Sequence, residues 1–240
     1  MKENYYISSC VFTAWHTELS KKIQEYVKKR FDMTPVRCCM PDFKVNKYAE
    51  QMPECYRDKW LSLPNTPDFL NASTICTICH NCANLINDTY PDIKCISLWE
   101  LILSDENFEY PDYNHKAMYI EDCWRARKNR AEQEAMRRLL NKMNIDIIEL
   151  PENFSRTKFC GRSFYKIKNI RKARLAPENH PLNTMPEAPI PSEEEQKAMM
   201  RDYCRIFADT PVICYCHYCL EGLTLGGANG YHLAELLFMQ

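Results

Sequence analysis

Tyr6-Ile7-Ser8-Ser9-Cys10, near the start of the chain, recurs as Tyr119-Ile120-Glu121-Asp122-Cys123. Each copy reads as a short strand ending in a cysteine, and a charged segment of helical periodicity follows each. In the first segment Leu19, Ile23, Tyr26 and Val27 share one face, with Thr17 placed to cap it. In the second, Ala131, Ala135, Met136, Leu139, Leu140 and Met143 do the same. A β-rich run comes next in both copies, Met33 to Val36 and Ile145 to Leu150, leading to Cys38-Cys39 and to Phe159-Cys160-Gly161. Further on, Cys79-His80-Asn81-Cys82 pairs with Cys216-His217-Tyr218-Cys219, and Ser97-Leu98-Trp99-Glu100-Leu101-Ile102 pairs with His232-Leu233-Ala234-Glu235-Leu236-Leu237. Four anchors in the same order point to an internal duplication.

The order strand, helix, strand in each copy predicts an α/β protein of two similar small lobes, each a parallel-leaning sheet with helices packed on it. The first lobe spans 1–104, a polar linker 105–115, and the second lobe 116–240. The cysteines fall at strand ends, strand-to-helix turns and helix starts, where open α/β sheets place their ligands. Helix N-termini there favour an anionic centre. The second lobe carries an insertion at about 162–191, with a basic stretch from Arg162 to Arg174 and then Pro177, Pro181, Pro186, Pro189 and Pro191. So many prolines predict an extended surface loop. Ser192-Glu193-Glu194-Glu195 reads as a capping box opening a helix toward Cys204.

Composition narrows the function. The 240 residues are 45% hydrophobic, ample for a core, with a formal net charge of -1. That balance gives no global reason to expect nucleic acid or an acidic membrane surface as a partner. The N-terminus lacks a signal-peptide pattern, and no stretch approaches the roughly 18 apolar residues of a membrane span, so a cytoplasmic protein is expected. Fourteen cysteines are too many for a disulfide scaffold in that reducing compartment. Clustered thiols there bind metal or do redox chemistry.

Cys10, Cys38, Cys39, Cys79 and Cys82 form the first set; Cys123, Cys160, Cys216 and Cys219 form the second. A lone cysteine, a Cys-Cys and a Cys-x-x-Cys, duplicated in one chain, resemble the cysteine-rich CCG domains of the disulfide-cleaving component of heterodisulfide reductase. Such domains also occur in the iron–sulfur subunits of glycolate oxidase and anaerobic glycerol-3-phosphate dehydrogenase. The resemblance spans nearly the whole chain. It implies a non-cubane [4Fe–4S] cluster on the five-cysteine set, a small disulfide or thiol substrate, and an electron-donating redox partner protein. It thus implies an oxidoreductase subunit engaged in electron transfer. A partner is needed because the chain lacks a flavin or nicotinamide fingerprint, with five glycines in all.

The sequence departs from that pattern in three places. Phe159 stands where the first paired cysteine of the second set belongs, so that set offers four thiolates for a cubane, a zinc ion or nothing. Met40 follows Cys38-Cys39 in place of glycine, and His80 and His217 occupy the Cys-x-x-Cys turns in place of proline. Both histidines could donate to cluster sulfur, act as a proton source or ligate metal, and exposed turn histidines without special chemistry are the plain alternative. Cys76 also lies three residues before Cys79, making Cys76 and Cys79 a competing pair; the match of His80 with His217 favours Cys79 with Cys82. Cys214 is likewise an alternate ligand or a core residue. Cys55, Cys95 and Cys204 read as packing thiols. The basic residues from Arg125 to Arg138 read as a solvated helix face, and Arg162, Lys166, Lys168, Arg171, Lys172 and Arg174 as a surface patch.

A zinc-stabilised, non-catalytic interaction module is the other function class, because four thiolates complete a tetrahedral site worth on the order of 10 kcal/mol of folding free energy. Nucleic-acid binding would rest on the two basic stretches alone and is not expected.

Overall fold

The computed structural model describes residues 3–161 and 192–239. The basic stretch 162–174 and the Pro-rich insertion lie outside the described residues. The chain separates into two compact units, Met1–Leu101 and Ile102–Gln240. The residues between 105 and 115 belong to the second: Phe108 packs edge-on against Phe238, and the Tyr113 hydroxyl donates to the Leu236 carbonyl.

The first unit runs β1 (Glu3–Ile7), α1 (Cys10–Trp15), α2 (Thr17–Phe31), β2 (Thr34–Val36), α3 (Val45–Gln51), α4 (Glu54–Ser62), β3 (Ala72–Thr77), α5 (His80–Thr89), β4 (Lys94–Ser97) and most of α6 (Leu98–Leu103), whose last two residues fall in the second. The second runs β5 (Lys116–Glu121), a 3-10 turn (Trp124–Ala126), α7 (Arg130–Lys142), β6 (Ile145–Glu149), α8 (Glu193–Cys204), β7 (Val212–Cys214), α9 (His217–Leu225), β8 (Gly230–His232) and α10 (Leu233–Phe238). Their sheets have the strand orders β2-β1-β3-β4 and β6-β5-β7-β8, and every pair is parallel. The duplicated α/β architecture expected from the repeat is therefore the architecture of the molecule.

Parallel strands must be covered on both faces, which explains their apolar runs. Ile7, Ile75, Ile120 and Ile213 are fully buried, as are Leu19, Ile23 and Val27 of α2 and Met136 and Leu139 of α7. Each such aliphatic side chain stabilises by roughly 1.5–3 kcal/mol. Two details of the helices differ from expectation. Thr17 is the first residue of α2 and its hydroxyl donates to the Thr13 carbonyl, because α1 runs directly into α2 and leaves no free turn to cap. Ala131 is exposed, since Asn129 starts α7 and turns Glu132 and Gln133 inward instead. The Ser192 capping box is present. Ser97 with Glu100 and His232 with Glu235 make matching reciprocal caps on α6 and α10, as their alignment in the repeat anticipated.

In both sheets the chain reverses its direction of winding between the first and third strands. The carboxyl ends of those strands therefore flank a crevice, which is where such sheets bind ligands. Among the described residues no helix is long and apolar enough to cross a membrane.

Candidate functional site

In the second unit the four thiols of the second set converge. Cys123 lies just past β5, Cys160 follows β6, Cys216 is the N-cap of α9, and Cys219 is in its first turn. Cys123 Sγ is 3.8 Å from Cys160 Sγ and is also a hydrogen-bond neighbour of Cys216 and Cys219; Cys219 in turn neighbours Cys160 and Cys216. All four are buried. Close backbone approach makes this possible. Gly161 has φ +50, and a Cβ there would collide with the Tyr218 carbonyl oxygen and lie 2.6 Å from Cys219 Cα. Only glycine lets the Cys160 loop rest directly on the start of α9.

A buried polar clamp fixes the loops that carry these thiols. Asp122, fully buried, accepts from both terminal nitrogens of Arg137 and, at 2.8 Å, from the Tyr215 hydroxyl. Asp122 precedes Cys123 and Tyr215 precedes Cys216, so this one bond ties two ligand-bearing turns together. The Thr157 hydroxyl donates to the Asp122 carbonyl, and Trp124 N donates to the Phe159 carbonyl, tying in the loop of Cys160. Phe159 itself stacks on Tyr203 at 4.7 Å, filling the place of the absent fifth cysteine.

Arg125 completes the site. One guanidinium nitrogen donates to Cys160 Sγ at 2.9 Å. Burial opposes ionisation of Cys160, but the Cys123 and Cys219 thiols and the Arg125 charge outweigh it and hold this thiol well below the usual cysteine range. Burial, with the neighbouring sulfurs, pushes Cys123 and Cys219 up. The site thus eases ionisation at Cys160 and opposes it at Cys123 and Cys219. The reading of Arg125 to Arg138 as a solvated helix face is corrected here. Arg125 lies on the turn before the helix, and the Arg137 side chain is only 11% exposed because it pairs with Asp122. The one signal in the sequence was Glu121-Asp122, two acids immediately before a cysteine.

The first unit delivers its five thiols to the corresponding strand ends. Cys10 opens α1, Cys38 and Cys39 follow β2, Cys79 is the N-cap of α5, and Cys82 is in its first turn. Cys10 and Cys38 sulfurs are 3.6 Å apart, and Cys82 neighbours Cys39 and Cys79, whose contacts together with burial push its thiol up. The Thr66 hydroxyl holds the Cys38 carbonyl at 2.7 Å. Cys76 lies inside β3, paired in register with Tyr6. Cys214 lies at the end of β7, two residues before the Cys216 cap, in the place that Thr77 holds before Cys79. The Thr77 hydroxyl accepts from Cys79 N there, and the Cys214 thiol donates to the Cys216 carbonyl at 3.7 Å. His80 is buried at the start of α5, and His217, half-buried at the start of α9, meets the Tyr218 ring edge-on at 5.5 Å. Cys204 packs against Gly226, but Cys55 is exposed and packs no core.

The donor sets fit thiophilic metals. Sulfurs at the corners of a tetrahedron around an ion with metal–sulfur bonds of ~2.3 Å lie ~3.8 Å apart. The separations of 3.6 and 3.8 Å match that edge.

No protein-family model matches this chain, and no curated protein matches it. Solved structures do. An aspartate racemase homologue from Pyrococcus horikoshii is 14% identical, with a TM-score of 0.33, covering 99% of this chain and 96% of that one. A glutamate racemase from Aquifex pyrophilus is 15% identical, with a TM-score of 0.36, covering 99% and 81%. The identification as a relative of the CCG-domain component of heterodisulfide reductase is corrected accordingly: these neighbours are racemase homologues, and no family model supports the CCG assignment. The electron-transfer function is withdrawn with it, as is the oxidoreductase class, and the zinc interaction module gains no support. The disulfide substrate and the electron-donating partner rested on the resemblance alone. At this identity and TM-score the racemases lend no activity to this chain.

Proposed function

We propose that the protein binds thiolate-ligated metal centres, one in each unit. Convergence of Cys123, Cys160, Cys216 and Cys219 from three strand ends and one helix turn carries the reading. Four buried thiols brought together by a dedicated glycine, a polar clamp and a guanidinium are a constructed donor set. The 3.8 Å between the Cys123 and Cys160 sulfurs matches one edge of a tetrahedral thiolate site, which suits one zinc-like ion, and a cluster is the alternative occupant for the same four sulfurs.

In the first unit, Cys10, Cys38, Cys39, Cys79 and Cys82 exceed what one tetrahedral ion takes, and a [4Fe–4S] cluster is the proposed occupant. The metal supplies Lewis acidity or a redox couple when bound. The chain supplies deprotonated sulfur, exclusion of water and, in the second unit, a positive charge against an anionic centre. Ligand thiols must stay reduced, so a reducing compartment such as the cytoplasm is part of the proposal.

The test is zinc, iron and acid-labile sulfide per chain on protein purified without oxygen. About one zinc with about four irons and matching sulfide is expected. Protein that carries neither metal, and takes up none on anaerobic reconstitution, would refute the reading.

A further inference from the structure

Tyr6 lies on β1 and Ser8 just past its end, where Ser8 N still donates to the Val36 carbonyl and continues the strand pattern, so the two side chains leave the same face of the sheet. Both are fully buried, and neither hydroxyl has a hydrogen-bond partner among the described residues. An unpaired buried donor is worth about 1–3 kcal/mol of lost stability, and native proteins keep few of them. Two in succession on one strand face call for a physical reason.

The second unit treats the same two positions differently. By the repeat, Tyr119 corresponds to Tyr6 and Glu121 to Ser8. Tyr119 is only half-buried, its ring edge against Phe207 at 5.4 Å, and buried Glu121 accepts a hydrogen bond from the Tyr203 hydroxyl. Among the described residues no such partner serves the Tyr6 hydroxyl. Its register partner across the sheet is Cys76, and β3 runs on from there to the Cys79–Cys82 turn. Burial, followed by the electrostatic field of Cys76, Cys82 and Cys79, pushes the Tyr6 hydroxyl well above its ordinary range, so it remains a proton donor near those sulfurs.

We propose that the Tyr6 hydroxyl is a hydrogen-bond donor to sulfur of the metal centre in the first unit, positioned by β1 beside the Cys79–Cys82 turn, with Ser8 extending the same donor face. The inference rests on the metal-binding reading and adds to it a group that is not itself a ligand. Sulfur bound to metal keeps lone pairs that accept hydrogen bonds, and outer donors of this kind change metal affinity about 10- to 100-fold. Tyr6 is thus unfavourable in the metal-free fold and favourable in the loaded one, a trade typical of binding sites.

That trade gives a test that a structural tyrosine would fail. Full-length Tyr6→Phe is loaded with 113Cd2+ without oxygen, with the wild-type protein and Cys219→Ala as references. Cys219→Ala identifies the second unit's resonance. Tyr6→Phe is expected to move the first unit's cadmium resonance and weaken that site about tenfold against a competing chelator. The second unit's resonance stays in place, and the metal-free variant melts no lower than wild type. Ser8→Ala, which changes one small hydroxyl, is read the same way if Tyr6→Phe fails to fold. Unchanged resonance and affinity would overturn the inference while leaving the metal sites standing. A metal-free variant that melts well below wild type would overturn it too, by showing that the hydroxyl has a structural partner. A wild-type chain with no cadmium–thiolate resonance would overturn the metal-binding reading and the inference together.

Discussion

The two units deliver sulfur to the same places on the same topology, yet they surround it with opposite chemistry. The first presents five thiols; its counterparts of Asp122, Arg125 and Tyr215 are Ser9, Phe12 and Ile78, two of them apolar and buried. The second presents four thiols, a guanidinium on Cys160 and the Asp122 clamp. In the first, the buried Tyr6 and Ser8 hydroxyls have no partners among the described residues; in the second, Glu121 in the place of Ser8 accepts from the Tyr203 hydroxyl, and Tyr119 in the place of Tyr6 is only half-buried. Strand order decides where ligands arrive, because the crevice at the strand ends follows from the direction of winding. Charge and hydrogen bonding around the sulfurs then diverged freely, since neither is needed to form the sheet.

Removing a sulfur tests that comparison most severely. Cys219→Ala should weaken zinc binding in the second unit by more than the ~100-fold that loss of a hydrogen-bond partner behind a ligand produces, while leaving first-unit binding unchanged. Competitive titration against a chromophoric chelator measures it, and parallel loss in both units would break the claim of two independent sites.

Next comes the clamp. Asp122→Ala leaves Arg137 with Glu149 as its remaining carboxylate but takes the acceptor from the buried Tyr215 hydroxyl and from Phe154 N, and should lower unfolding free energy by about 2–3 kcal/mol in denaturant melts. Ser9→Ala, its counterpart, removes only a long helix-cap bond and should lower it by about 1 kcal/mol.

Glu121 gives a pH signature that Ser8 cannot. Burial, the largest cause, raises its carboxyl to about 8 from 4.5, against the opposing Tyr203 hydrogen bond. Between those values the folded chain keeps a proton that the unfolded chain has lost, so stability falls as pH rises through that window. In metal-free protein, Glu121→Gln should flatten this slope and melt higher than wild type above pH 8, by on the order of a few kcal/mol. An unaltered slope would place the titration elsewhere.

The smallest effect belongs to Arg125. Arg125→Gln removes the positive charge beside an anionic centre and should weaken second-unit metal binding about tenfold, with greater salt sensitivity in the wild type. Equal affinities would reduce the guanidinium to a packing group.

The repeat made much of this legible. Tyr6–Cys10 against Tyr119–Cys123 located both first strands, and the Cys-x-x-Cys turns located both ligand-bearing helix starts. Side-chain pairings across long separations were not legible. Asp122 meets Tyr215 at 93 residues' distance and Arg125 meets Cys160 at 35, and helical periodicity assigns such arginines to solvent. Family identity was misread for a related reason: cysteine spacing reports where loops end, which any duplicated parallel sheet with thiols at its strand ends will reproduce.

Differential alkylation tests the central claim most directly. Protein purified without oxygen is treated with iodoacetamide before and after a strong chelator, and each of the fourteen cysteines is read by mass spectrometry. Exposed Cys55 should react throughout, and Cys10, Cys38, Cys39, Cys79, Cys82, Cys123, Cys160, Cys216 and Cys219 should become reactive only once metal is removed. Reactivity at those nine positions that is indifferent to the chelator would show that burial alone protects them, and would contradict the metal centres.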